Sequence, residues 1–131
     1  MFGKMGHMTP AADEDVFPFI EAWTEPGEGG FFVHYRLKFY LRWGPIHWGA
    51  NASHTVSVVG GDTISKKFPI WSDNAIGDQY FTLDKGTLWV PTSTKKSNVK
   101  VTWQNNNMSV SFGDNSFTGL KAECYVTGQP L

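Results

Sequence analysis

The chain has 131 residues, a mass of 14.6 kDa and a formal net charge of −1, and 40% of its residues are hydrophobic. This length and composition fit one folded domain, and they exclude both a wholly disordered chain and a polycationic, nonspecific nucleic-acid binder. The single cysteine excludes an intramolecular disulfide, and no apolar run approaches the roughly 18 residues needed for a membrane-spanning helix.

Residues 1–15 are predicted to lie outside the folded domain, which we place at residues 16–131. Residues 6–8 resemble a tag remnant, and residues 9–15 have the composition of a flexible lead-in. Residues 16–23 are compatible with a short strand or one helical turn. The proline and glycine residues at 25–30 predict a turn or loop.

The clearest element is a long strand over residues 31–42, in which apolar residues alternate with largely polar or basic ones. Because successive side chains of a strand point to opposite faces, this strand is expected to bury one face only. Further strands are predicted at residues 55–59, 63–68, 79–83, 87–90, 99–103, 108–112 and 120–126. Turns are predicted at residues 60–62, 84–86, 105–107 and 113–115. This spacing predicts an all-β, single-domain antiparallel β-sandwich.

Enzyme and metal-site motifs are missing from the sequence. It contains no nucleophile elbow, no zinc-protease helix motif, no phosphate-binding loop and no dinucleotide glycine motif. His47 and His54 lie seven residues apart, but no third ligand is marked by the spacing, so we interpret both as surface or loop imidazoles. Cys124 falls on the apolar side of a predicted strand and is expected to be a buried, unreactive thiol. We therefore expect a protein that is not an enzyme and has no cofactor or metal.

The tryptophan residues are the most informative feature. Trp103 lies in the middle of a predicted strand and is expected in the core, whereas four others flank predicted turns or strand ends: Trp43, Trp48, Trp71 and Trp89. Indole rings at one end of a sandwich suit the headgroup region of a bilayer, and they also stack on sugar rings. Basic side chains of the long strand, such as Arg42, are candidate partners for a phosphate.

The segment Leu41-Arg42-Trp43-Gly44-Pro45-Ile46-His47 resembles the L-x-W-G-x-[LI]-H segment of the aegerolysin family. Further segments similar to that family follow in the same order, namely Gly60-Gly61-Asp62, Trp71-Ser72-Asp73-Asn74, Tyr80-Phe81-Thr82-Leu83 and Trp89-Val90-Pro91. The resemblance covers about residues 31–126. The two cysteines typical of the family are absent, and Thr92 replaces the second tryptophan of its Trp-Pro-Trp segment.

The resemblance implies a small β-sandwich similar to the actinoporin-type cytolysins. It also implies recognition of sphingolipid-containing membranes, with a larger perforin-like partner that forms the pore in some members. By this resemblance Trp43 matches a family tryptophan near the lipid-binding end, and Trp89 matches the first tryptophan of the family's Trp-Pro-Trp segment.

From these observations we expect a membrane-lipid recognition protein, the binding component of a bipartite pore-forming cytolysin. Its partners are expected to be a sphingolipid-containing membrane surface and a perforin-like protein, with no nucleic acid. The residues expected to contact lipid are Trp43, Trp48, Trp89, Trp71, His47 and Arg42. Two alternatives stay open: a carbohydrate-binding module or lectin that uses the same rings, and an oligomer-forming sandwich whose rings seal a protein interface.

Overall fold

The computed structural model describes residues 16–42, 44–48, 53–67, 71–93, 96–104, 109–112, 115–118 and 121–131. Within these ranges every regular element is a strand, and no helix long and apolar enough to span a membrane is found there. The strands are β1 (Val16–Gly27), β2 (Gly30–Leu41), β3 (Gly44–Trp48), β4 (Ser53–Val58), β5 (Thr63–Lys67), β6 (Trp71–Ala75), β7 (Gln79–Pro91), β8 (Ser97–Gln104), β9 (Ser109–Phe112), β10 (Asn115–Thr118) and β11 (Lys121–Gly128).

The strands form three sheets in which all pairings are antiparallel, so the predicted all-β antiparallel class is confirmed. The strand orders are β1-β2-β7, β10-β9-β3-β6 and β11-β8-β4-β5. β2 is the strand that the alternation predicted, and its odd-numbered residues from Phe31 to Leu41 are buried. Its even-numbered residues therefore lie on the outer face of the first sheet.

β1 is longer than its sequence pattern predicted. It pairs residue by residue with β2 from Val16 opposite Leu41 to Gly27 opposite Gly30. The turn or loop predicted at 25–30 is confirmed as a turn at residues 28 and 29, whereas residues 25–27 belong to β1 and residue 30 to β2. Gly29 adopts a φ of 79°, which glycine accepts without steric cost. Prolines occur in β1 because it is an edge strand of its sheet.

β7 runs without interruption through the predicted turn at residues 84–86, so that prediction is wrong. Gly86 lies opposite Tyr35, and a Cβ atom added to Gly86 would lie 2.5 Å from the Tyr35 hydroxyl oxygen. The glycine therefore makes room for a buried ring instead of forming a turn. The β2–β7 register shifts between Leu37 and Lys38, which is a β-bulge.

The first and third sheets share one hydrophobic core, an arrangement consistent with a β-sandwich. The third sheet contributes Val56, Val58, Val99, Val101, Trp103, Ala122, Cys124 and Val126. The alternation predicted in β8 and β11 is thereby confirmed. The two layers are also joined at their sides, because the Thr24 hydroxyl donates to the Thr127 carbonyl oxygen at 2.7 Å and Lys66 forms an ion pair with Asp84.

The second sheet continues strands of the other two. Along the chain β3 follows β2 and β6 precedes β7, whereas β9 and β10 lie between β8 and β11, and β3 pairs with β9. The second sheet therefore combines strands that are sequence neighbours of strands in both other sheets. The predicted turn at residues 60–62 is confirmed between β4 and β5. Those predicted at residues 105–107 and 113–114 lie outside the described residues, whereas Asn115 belongs to β10.

Candidate functional site

Four rings form a continuous line across the outer face of the β1-β2-β7 sheet. The centroids of Trp23 and His34 are 5.6 Å apart, and those of His34 and Phe32 are 6.4 Å apart, both pairs with interplanar angles of 28°. The ring centroids of Phe32 and Trp89 are 4.9 Å apart. We call these four residues the aromatic row. It exists because β2 directs its even-numbered side chains outward, next to cross-strand partners on β1 and β7.

Two glycines position the indole of Trp89. A Cβ atom added to Gly27 would lie 2.8 Å from Trp89 Cζ3, and one added to Gly30 would lie 2.6 Å from Trp89 Cζ2. The ring therefore lies against the bare backbone that flanks the β1–β2 turn. These glycines, which the sequence marked only as loop residues, fix the end of the aromatic row.

The imidazole of His34 is held at both nitrogens. Nδ1 lies 3.0 Å from Thr87 Oγ1, and Nε2 lies 3.0 Å from Glu25 Oε1. Because Glu25 belongs to β1 and Thr87 to β7, the ring bridges all three strands of the sheet. The orientation of the His34 ring is therefore fixed by partners on both neighbouring strands.

Three cations lie near the Trp23 end of the aromatic row, namely Arg36, Lys38 and Lys85. The Arg36 guanidinium lies 4.9 Å from the ring centroid of Trp23, and it is 3.5 Å from Glu21 Oε1. The other oxygen of Glu21 is 3.6 Å from Lys38 Nζ. Lys85 lies opposite Arg36 in the β2–β7 register and is exposed, and the structure gives it no ion pair with a described residue. This part of the face is therefore electropositive.

A second group of rings extends the same face toward β3. Tyr80 is 55% exposed, and its ring centroid lies 5.3 Å from that of Tyr40 and 5.5 Å from that of Phe19. Lys38 Nζ lies about 6 Å from the rings of Phe19 and Tyr80. The Tyr40 hydroxyl donates to Asp78 Oδ1 at 2.8 Å, and this bond raises the pKa of the phenol.

A shallow groove of about 370 Å³ lies between the aromatic row and the cations. Its lining comprises Trp23, His34, Tyr35, Arg36, Lys85, Gly86 and Thr87. It combines an indole, an imidazole, a hydroxyl group and two cations, a set suited to a ligand with both an apolar part and an anionic part. Among the described residues, no three His, Cys, Asp or Glu side chains are grouped so that they could hold a metal ion.

The structure separates the tryptophans that the sequence grouped together. Trp48 on β3 lies opposite Trp71 on β6 in the second sheet. Trp89 lies beside the β1–β2 turn, at the other end of β2. β2 has twelve residues and spans about 40 Å at roughly 3.3 Å per residue. Trp89 therefore lies far from the end of β2 that leads into β3. Trp43 lies outside the described residues.

The two polar candidates lie on the Trp48 side of the fold. Arg42 is exposed directly after β2, and His47 is exposed in β3, opposite Ser72 and Ser111. The structure therefore brings neither of them to the groove. Their contact with a ligand, like that of the four tryptophans, stays a prediction.

Sequence reasoning missed most of the groove. Trp23 lies in a segment whose hydrophobic residues show no clear period, and Lys85 lies in a segment that was predicted to be a turn. Arg36, by contrast, was marked by the alternation of β2. The prediction for His54 is wrong, because this side chain is 1% exposed and accepts a hydrogen bond from Trp103 Nε1 at 3.0 Å. Trp103 itself is buried as predicted.

Comparisons of the chain with protein-family models, with curated proteins and with solved structures find no match in any of the three.

Proposed function

We propose that this protein recognises the surface of a sphingolipid-containing membrane through the outer face of its β1-β2-β7 sheet. The observation that carries the proposal is the aromatic row, a line of four contacting rings on an exposed sheet face beside an excess of cations. Rings with an apolar body and a polar edge favour the headgroup region of a bilayer. Arginine and lysine pair there with lipid phosphates.

The free energy of binding is expected to come mainly from burial of the ring surfaces. Burying about 200 Å² of ring surface at roughly 25 cal/mol per Å² contributes about 5 kcal/mol. Immobilising loose side chains would offset part of that gain. His34 and Arg36 are already held by Glu25 and Glu21, so little further ordering is needed on binding.

An aegerolysin-like fold is part of this proposal. It is supported by the order of the similar segments between residues 31 and 126 and by the antiparallel all-β architecture. In this proposal the chain supplies membrane recognition, and a larger perforin-like partner forms the pore.

Vesicle flotation tests the proposal. The wild type is mixed with vesicles of phosphatidylcholine alone, or with vesicles that also contain sphingomyelin and cholesterol. We expect stronger flotation with the second set than with the first, and a loss of about tenfold in affinity for Phe32→Ala, a change of roughly 1.4 kcal/mol. Tyr125→Ala is the matched control, because Tyr125 is 51% exposed on the opposite face of the protein. Failure to float with any vesicle, or an equal loss in both variants, contradicts the proposal.

Carbohydrate binding is the second candidate function. It is favoured by the wall of the groove, where the indole of Trp23 stands beside the hydrogen-bonding His34 and Thr87 side chains. Sugars present an apolar ring face and a rim of hydroxyl groups, which such a wall matches. Tryptophan fluorescence titrations with soluble glycans discriminate the two functions. Saturable glycan binding without vesicle flotation would replace the membrane proposal.

A further inference from the structure

We infer that the groove beside Trp23 is a subsite for a phosphate ester, which Arg36 and Lys85 hold between them. The inference rests on the proposed function in so far as a lipid headgroup supplies the phosphate. A soluble phosphate ester presents the same oxyanion, so the experiment below distinguishes the two sources.

Two like charges lie next to each other in the groove. Arg36 on β2 and Lys85 on β7 are direct cross-strand partners, and both line the groove. Directly opposite side chains on one face have Cβ atoms about 5 Å apart, and like charges in such a pair destabilise the sheet. A bound oxyanion converts this repulsion into two attractive contacts.

The carboxylates near the groove already have partners. Glu21 is shared by Arg36 and Lys38, and Glu25 is held by His34 at 3.0 Å. Asp84, the chain neighbour of Lys85, forms an ion pair with Lys66 on β5. Adjacent residues of a strand point to opposite faces, so Asp84 does not neutralise Lys85 across the groove. The described part of the chain therefore supplies the groove with cations in excess.

The groove holds its arginine in place without a ligand. The guanidinium of Arg36 is held by the Trp23 ring and by Glu21, and an arginine fork binds a phosphate through two parallel hydrogen bonds. The Thr87 hydroxyl lies on the same wall, and the indole of Trp23 offers an apolar surface to the organic part of the ester. A volume of about 370 Å³ is within the range of small-ligand sites.

Titration with soluble anions provides the first test. Inorganic phosphate and phosphoethanolamine are titrated into the full chain, and binding is followed by ¹H–¹⁵N NMR. We expect saturable shifts of the Trp23 indole and the Arg36 side chain, weakened by salt. Lys85→Gln should raise the Kd about tenfold, and Lys100→Gln, which alters a lysine paired with Glu123 on the other sheet, should leave it unchanged. Because Lys85→Gln removes a repulsion, its melting temperature should equal or exceed that of the wild type.

Vesicles provide the second test and separate the failure of this inference from that of the proposed function. Sphingomyelin vesicles are compared with vesicles of glucosylceramide, which lacks phosphate. Preference for sphingomyelin that is lost in Lys85→Gln supports the inference with a lipid as the source. Binding of soluble phosphate without any vesicle binding supports the groove, assigns it a soluble ester and contradicts the membrane function.

Two results overturn the inference. Equal binding of both vesicle types, unaffected by Lys85→Gln, overturns the phosphate subsite and leaves membrane recognition standing. Absence of binding to soluble phosphate and to both vesicle types overturns the subsite and the proposed function together.

Discussion

Trp103 donates its indole Nε1–H to Nδ1 of His54 across 3.0 Å in the interior of the protein. The two rings are 5.9 Å apart at their centroids and nearly parallel. An Nδ1 atom accepts a hydrogen bond only when it carries no proton, so this geometry requires the neutral imidazole. Burial acts in the same direction, because it disfavours the charged form and lowers the pKa of His54 to about 4.

The stability of the protein should therefore fall as the pH drops from about 6.5 toward 4. In this window the unfolded chain binds a proton at His54, whose ordinary pKa is 6.5, while the folded chain does not. Above 6.5 both states are neutral, and below about 4 both are charged, so the loss is confined between these values. It amounts to about 1.4 kcal/mol per pH unit and roughly 3 kcal/mol in all. Urea denaturation at several pH values measures it.

His54→Gln is the control for this slope, because it removes the titrating group and keeps a polar side chain beside Trp103. The variant should be less stable at neutral pH, yet it should lose less stability than the wild type on acidification. Equal pH slopes for the two proteins would show that the buried imidazole does not cause the effect.

Gly86→Ala should destabilise the protein by about 1–3 kcal/mol. The new methyl group would approach the hydroxyl of the buried Tyr35 to 2.5 Å, so the ring or the strand must shift. Gly77→Ala is the matched control, since no atom lies within 4 Å of a Cβ at that position. Thermal denaturation compares the two. A melting temperature for Gly86→Ala equal to that of Gly77→Ala would show that the close approach is not restrictive.

The example of Gly86 shows where sequence reasoning stops. Alternation predicted β2, β8 and β11 because each buries one face, and the period of two survives in the structure. Residues 84–86 have the composition of a turn, but pairing with β2 along the whole of β7 outweighed that local preference. Which side chain lies opposite Gly86 is decided by the β2–β7 register, and no local sequence pattern reveals that register.

The candidate site was predictable only in part, for the same reason. The outward direction of Arg36 follows from the alternation of β2 alone. Its proximity to Trp23 and Lys85 depends on the registers of two further pairings. His54 illustrates the opposite error, because a histidine in a polar sequence context was assigned to the surface while its partner Trp103 lies 49 residues away.

Cys124 should be inert toward thiol reagents in the folded protein. Burial raises the pKa of its thiol to about 12, so at about pH 8 roughly one molecule in ten thousand carries the reactive thiolate. We expect no modification by a disulfide reagent under native conditions and complete modification in denaturing guanidinium chloride. Rapid native modification would place the thiol at the surface and contradict the inward face of β11.

Asp62→Ala should weaken the attachment of the β4–β5 turn to β7. The amide of Trp89 donates to Asp62 Oδ2 at 3.0 Å, and the amide of Asp62 donates to the Trp89 carbonyl oxygen at 3.0 Å. Loss of the side-chain acceptor should cost about 1 kcal/mol, because a hydrogen bond near the surface contributes modestly. Asp62→Asn retains a neutral acceptor and should lose less. Hydrogen exchange of the Trp89 amide reports the bond directly: it should accelerate in Asp62→Ala more than in Asp62→Asn, and equal rates would contradict the assigned bond.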